Sequence, residues 1–176
     1  MGNRIEPEVL KDLSYGLYVM TSLCDEQMNG QIVNSVNQVT SEPVRLAVTV
    51  NKKNLTHDFI CESKLFGISI LNETTPMSFF ELFGFKSGRE VDKMSQVRHM
   101  KGVTGCPVVH ENALSFVEAV VFKEVDLGSH TIFIGNAVSS EVLGHGNSLT
   151  YKYYADEMSG TLPPRAPCYN SPSKGQ

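Results

Sequence analysis

The feature that most constrains the fold is a pair of long strand patterns near the C-terminal third. Ala113–Asp126 and His130–Leu143 both read as extended, half-apolar segments, joined only by Leu127-Gly128-Ser129. A connection that short, with Gly in it, pairs its flanks as an antiparallel hairpin. A hairpin of this length exposes two faces and two edges, so the rest of the chain must supply strands to pair with it. Four further strand patterns are available: Tyr15–Cys24, Gly30–Thr40, Val44–Asn51 and Phe66–Leu71. In the third, Val44, Leu46, Val48 and Val50 fall on one face.

Helical patterns are short. Asn54–Ser63 opens on Asn54 and Thr56, good N-cap types, and Thr75–Phe83 carries Pro76 near its start. Residues 5–13 read as a short lead-in helix, and Gly84–Pro107 has little periodicity. Too little helix separates the strands for a doubly wound α/β fold, which leaves a mainly β architecture: a small barrel with short helical inserts. The 176 residues fit a single domain over 1–176, with a flexible tail expected over 168–176. No apolar run reaches the ~18 residues of a membrane span. The N-terminal stretch has no signal-peptide core, so a cytoplasmic, non-membrane protein is expected. With 15 Lys+Arg against 19 Asp+Glu the chain is mildly acidic, which argues against a nucleic-acid partner. Its four cysteines form no C-x-x-C pair and are read as free thiols.

Three segments carry candidate chemistry, each beside a plainer reading. Residues 30–43 hold Gln31, Asn34, Ser35, Asn37, Gln38, Thr40 and Ser41, whose amides and hydroxyls suit the mixed donor and acceptor edge of a flat heterocycle. They also suit a polar edge strand. Residues 50–59 lead from a strand through Lys52 and Lys53 into a helix start with Thr56, which makes either an anion site or a capped helix with solvated lysines. Residues 84–101 hold five of the fifteen Lys+Arg, namely Lys86, Arg89, Lys93, Arg98 and Lys101, as a phosphate-holding field or a solvated loop. His57 and Cys61 share a helix face, and Cys106 precedes His110 by four residues. Neither pair has a third ligand placed by spacing, and no metal site is expected. His130 opens a strand after a Gly-Ser turn, as a surface or a catalytic imidazole.

Taken together, the stretches SYGLYVMTS (14–22), NGQIVNSVNQVTSEP (29–43), VNKKNLTHDF (50–59), GFKSGREVDK (84–93), TGCPV (104–108), LGSHTIFIG (127–135) and LTYKYY (149–154) resemble the flavin reductase-like family with the FMN-binding split barrel. They are most similar to its archaeal ferric reductase, flavoredoxin and high-molecular-weight rubredoxin branch. The resemblance implies a homodimeric, six-stranded Greek-key barrel binding FMN without a covalent bond. It implies contacts to the ring and ribityl chain from Thr21 or Ser22, Asn34, Ser35, Val36, Gln38, Val39 and Thr40. It implies phosphate contacts from Asn51, Lys52 and Thr56, with Lys86, Ser87 and Arg89 closing over the site. His130 falls on the nicotinamide side, although Ser129 stands where many relatives have Asp. The implied activity is reduction of bound flavin by NAD(P)H, with electrons passed to a small-molecule or redox-protein acceptor. An FMN-carrying electron-transfer protein fed by a partner is the alternative. The rubredoxin module itself is absent, since its paired C-x-x-C is missing.

Overall fold

A computed structural model describes residues 6–161 and 163–167; the tail expected over 168–176, with Cys168, lies outside them. The long hairpin forms as β8 (Ala113–Asp126) and β9 (His130–Val142). Its turn closes with Leu127 N–H on the His130 carbonyl at 2.9 Å and the Gly128 N–H on Asp126 Oδ1 at 2.7 Å. Gly128 has φ of 81°, a backbone region that only glycine enters without strain. Register shifts at Glu118/Ala119 and Val121/Lys123 bend β8. Such bulges raise local twist, so one long hairpin can serve two walls of a curved sheet.

The remaining strands are β1 (Tyr18–Cys24), β2 (Gln27–Val33), β3 (Val36–Ser41), β4 (Val44–Asn51) and β5 (Leu65–Leu71). They complete an antiparallel seven-stranded sheet in the order β2-β1-β5-β8-β9-β4-β3. A separate two-stranded sheet joins β6 (His99–Lys101) to β7 (Pro107–Val109). The expected six strands become seven because the amide-rich segment is not one strand. It breaks at Asn34-Ser35, and its two halves lie at opposite ends of the sheet.

Two cores hold the sheet. Inside its curve, Met20, Val33, Val48, Val50, Phe66, Ile68, Ala119 and Phe133 come from β1, β2, β4, β5, β8 and β9. Ile60 of α1 (Leu55–Ser63) closes one end. Full burial of each large side chain contributes ~1.5–3 kcal/mol. On the outer side, Leu17, Val19 and Leu71 pack with Phe79, Phe80, Leu82 and Phe83. Phe79 and Phe80 belong to α2 (Met77–Phe80), which continues as one turn of π-helix over Glu81–Phe85. The second predicted helix, Thr75–Phe83, is thus shorter as α-helix and ends in a widened turn around Gly84. A third helix, α3 (Tyr151–Asp156), starts where Thr150 Oγ1 accepts the Tyr153 N–H at 3.1 Å. The lead-in helix is a 3₁₀ segment, Pro7–Asp12.

Candidate cofactor site on the open edge of the sheet

Strand β2 ends the sheet, so one row of its backbone groups has no strand partner. A cleft of about 540 Å³ runs along Asn29–Asn34. Its other walls are Thr49 and Asn51 of β4, Asn54–Thr56 at the start of α1, Phe83–Gly88 with Glu90 and Lys93, and Pro163–Pro167. The start of α1 faces it uncapped: Asn54 is extended and makes no side-chain cap bond. Orphan amides of that kind attract anions. Thr56 is fully buried, and its Oγ1 accepts from Asn29 Nδ2 at 2.9 Å. That leaves the hydroxyl's own proton to donate. A Cβ on Gly88 would lie 2.1 Å from Asn29 Oδ1, so only glycine lets the 86–88 loop press this close to β2.

The basic residues divide by partner. Lys52 Nζ is 2.6 Å from Asp126 Oδ1, and this contact holds the Asp126 carboxyl below its ordinary range. Arg89 Nη2 is 2.6 Å from Asp58 Oδ2. Arg98 Nε is 3.7 Å from Glu111 Oε2. Lys93 differs from all three. It is 4% exposed, and its Nζ donates to the Gly30 carbonyl at 3.0 Å and the Phe83 carbonyl at 3.4 Å. Among the described residues no carboxylate pairs with it. Burial pushes its pKa down to about 8. One further polar atom of the cleft wall, Gln31 Oε1, is buried without a hydrogen-bond partner.

Of the residues singled out from sequence, Asn34, Asn51, Thr56, Lys86 and Ser87 border the cleft. Ser35 opens the break to β3, its Oγ 3.3 Å from the Thr49 carbonyl. Val36, Gln38, Val39 and Thr40 lie on β3, the other end of the sheet, and the last three are exposed. Thr21 and Ser22 are buried elsewhere: Thr21 Oγ1 donates to the Pro107 carbonyl, and Ser22 Oγ donates to the Leu65 carbonyl at 2.8 Å. Neither lines the cleft, and their hydroxyls serve strand and loop packing. Lys52 and Arg89 do not line it; each is held in the ion pair described above. His130 pairs in register with Asn51; its Nδ1 is 2.8 Å from Ser129 Oγ, and its Nε2 is buried without a partner.

The His57–Cys61 pair shares a face, with Sγ 3.7 Å from Nδ1. Burial lowers the imidazole's pKa and raises the thiol's, so the pair sits as neutral thiol and neutral imidazole. His57 Nε2 bonds Thr131 Oγ1 at 2.9 Å. Cys106 is buried deeper, its thiol pushed up to about 12. Cys24, Cys61 and Cys106 are free thiols. Among the described residues no cluster of three His, Cys, Asp or Glu side chains is arranged to hold a metal. No helix among them is long and apolar enough to cross a membrane.

Residues 10–161 match the flavin reductase like domain. The chain belongs to the flavin reductase-like family. It is 43% identical over 165 residues to a ferric-chelate reductase (NAD(P)H) of Archaeoglobus fulgidus, covering 94% of this chain and 98% of that one. It is 41% identical to a high molecular weight rubredoxin of Moorella thermoacetica, covering 94% of this chain and 72% of that one. An FMN-binding protein from Thermus thermophilus with bound 1-cyclohex-2-enone shares the fold at TM-score 0.76 and 22% identity, over 86% of this chain and 89% of its own. The cleft adds Asn29 and Pro163–Pro167 to the candidates, and it singles out Gln31 and Lys93 from the amide-rich and basic segments. Asn29 and Gln31 sit on the alternation of β2, and Lys93 lies inside the basic segment. The Pro-rich strap carries no signal of where it packs.

Proposed function

We propose that the protein is an FMN-dependent oxidoreductase that takes electrons from NAD(P)H and hands them to a second acceptor. The observation that carries this reading is the cleft on the free edge of β2. It joins an uncapped helix start, a buried ammonium without a carboxylate, and an unpartnered carboxamide oxygen. An anion at one end would satisfy the first two, and an N–H-bearing ring along β2 the third. Both belong to a flavin mononucleotide. The identity to a ferric-chelate reductase (NAD(P)H) supports the choice of electron donor.

In this reading Asn54, Thr56, Lys86, Ser87 and Lys93 hold the phosphate; charge-assisted bonds of that kind contribute ~1.5–3 kcal/mol each. The free edge of β2 borders the isoalloxazine through main-chain groups, with Asn34 and Ser35 at its end and Asn51 opposite; Val36, Gln38, Val39 and Thr40, outside the cleft on β3, would meet a ring only through the exposed edge of that strand. Bound flavin supplies the hydride and electron chemistry, and the chain supplies orientation and electrostatics. His130, next to Asn51, offers its buried Nε2 to the nicotinamide side. Lys52 and Arg89 act from outside the cleft by holding Asp126 and Asp58, the first of which anchors the turn that carries His130.

The working form in this proposal is a homodimer. Val39, Val44, Phe122 and Val138 are exposed along β3, β4, β8 and β9, beside an uncovered strand edge. The test of function is steady-state oxidation of NADH and NADPH by FMN-loaded protein with a ferric chelate or free flavin as acceptor. Turnover with either nucleotide is expected. A yellow, folded protein that oxidises neither, yet is reduced by a redox-protein partner, would contradict the reading.

A further inference from the structure

Beyond α3 the chain doubles back across the cleft. Gly160 N–H donates to the Tyr154 carbonyl at 2.9 Å and the Tyr154 hydroxyl to the Thr161 carbonyl at 3.2 Å, which fixes the point of departure. A short proline-rich strap, Pro163–Pro167, follows; the Ala166 N–H returns to the Pro163 carbonyl at 2.9 Å. All of its residues border the cleft. On the far side a long-range contact ties it down: Arg165 Nη1 donates to the Lys53 carbonyl at 3.4 Å, across 112 residues of sequence. Lys53 immediately precedes Asn54, so the strap spans the cleft at the uncapped end of α1.

We propose that this strap is a specificity element, with Arg165 as its latch. It closes the phosphate end, so that the site accepts a flavin ending in a phosphomonoester and rejects one extended through a pyrophosphate into a dinucleotide. A terminal phosphate needs only donors around it. Thr56 and Ser87 supply hydroxyls, and Lys86 and Lys93 supply charge. A dinucleotide needs an exit for its second phosphate, ribose and base at that same end. Proline rings restrict the strap's unfolded alternatives, so keeping it in place costs little conformational entropy. The proposal rests on the FMN reading of the cleft and assigns to the strap the exclusion of the dinucleotide.

The test is equilibrium titration of flavin-free protein with FMN, FAD and riboflavin, followed by difference absorbance, for the native chain, Arg165→Ala and Pro164→Gly. Native protein should prefer FMN to FAD by at least ~10-fold. Both variants should narrow that ratio by ~5-fold or more, chiefly through tighter FAD binding, with riboflavin changed less than ~2-fold. Equal FMN and FAD affinities in the native chain, or a ratio unmoved in both variants, would overturn the proposal. Native protein that binds none of the three would overturn the flavin reading together with it.

Discussion

The two ends of the sheet are built from neighbouring stretches of similar composition, yet they meet different surroundings. The free edge of β2 is covered: Lys93 donates to its Gly30 carbonyl, Phe83 packs on Gly30, and the cleft takes the rest. The edge of β3 is bare, with five of its six residues exposed. Uncovered edges invite pairing with another chain, and proteins manage them by covering or blunting. Within one molecule, then, the β2 edge has become a binding wall and the β3 edge is left for a ligand or a second copy. Residue type did not decide this; position relative to the 83–93 segment did.

The largest expected effect tests whether the cover on β2 is structural. Phe83→Ala should cost ~3–5 kcal/mol in urea unfolding, as for a buried aromatic truncated in a core. Val39→Ala on β3 should stay within ~0.5 kcal/mol under conditions where the chain is monomeric. Similar losses at both sites would abolish the distinction between the edges.

Lys93 sharpens it through pH. Its folded pKa of about 8 lies below the ordinary lysine value, so between the two the unfolded chain binds more protons than the folded one. Stability of the flavin-free protein should therefore rise with pH over that window, by up to ~3 kcal/mol, and Lys93→Met should flatten the rise. FMN affinity should move the opposite way, falling above about pH 8 as the ammonium loses its proton. Denaturant midpoints and FMN titrations between pH 7 and ~10 check both slopes.

A smaller effect concerns Gln31, whose buried oxygen lacks a partner. Gln31→Leu should stabilise the flavin-free protein by ~1 kcal/mol, because an unsatisfied buried acceptor is removed. The same change should weaken FMN and riboflavin alike. Stabilisation without any loss of flavin affinity would take Gln31 out of the site. The smallest change is expected at Gln38, where the exposed side chain only reaches the Thr40 carbonyl at 3.3 Å. Gln38→Ala should alter FMN affinity less than ~2-fold, since β3 contributes main chain there.

How much of this was legible in the sequence follows the range of the interactions. The hairpin and β4 were readable because alternation and Gly128 act locally. The break at Asn34-Ser35 was not, because amides and β-branched residues occur on both sides of it. The basic charges were visible, but their partners were not. Lys52 meets Asp126 at 74 positions' distance and Arg89 meets Asp58 at 31, which moves both out of the cleft. Lys93 looked like its neighbours and is distinguished only by burial. Thr56 was identified as a cap, and its partner Asn29 emerged only when β2 was placed against α1. The strap has no local signal of its place, because its contact with Lys53 is set by tertiary folding alone.

The central claim is that the start of α1 holds the phosphate of a flavin lying along β2. It is tested most directly by titrating native protein and Thr56→Val with FMN and with riboflavin. The account predicts an FMN loss of ~10–100-fold in the variant with riboflavin within ~2-fold, one charge-assisted bond to phosphate having been removed. Equal losses for both ligands, or no preference for FMN in the native chain, would contradict it.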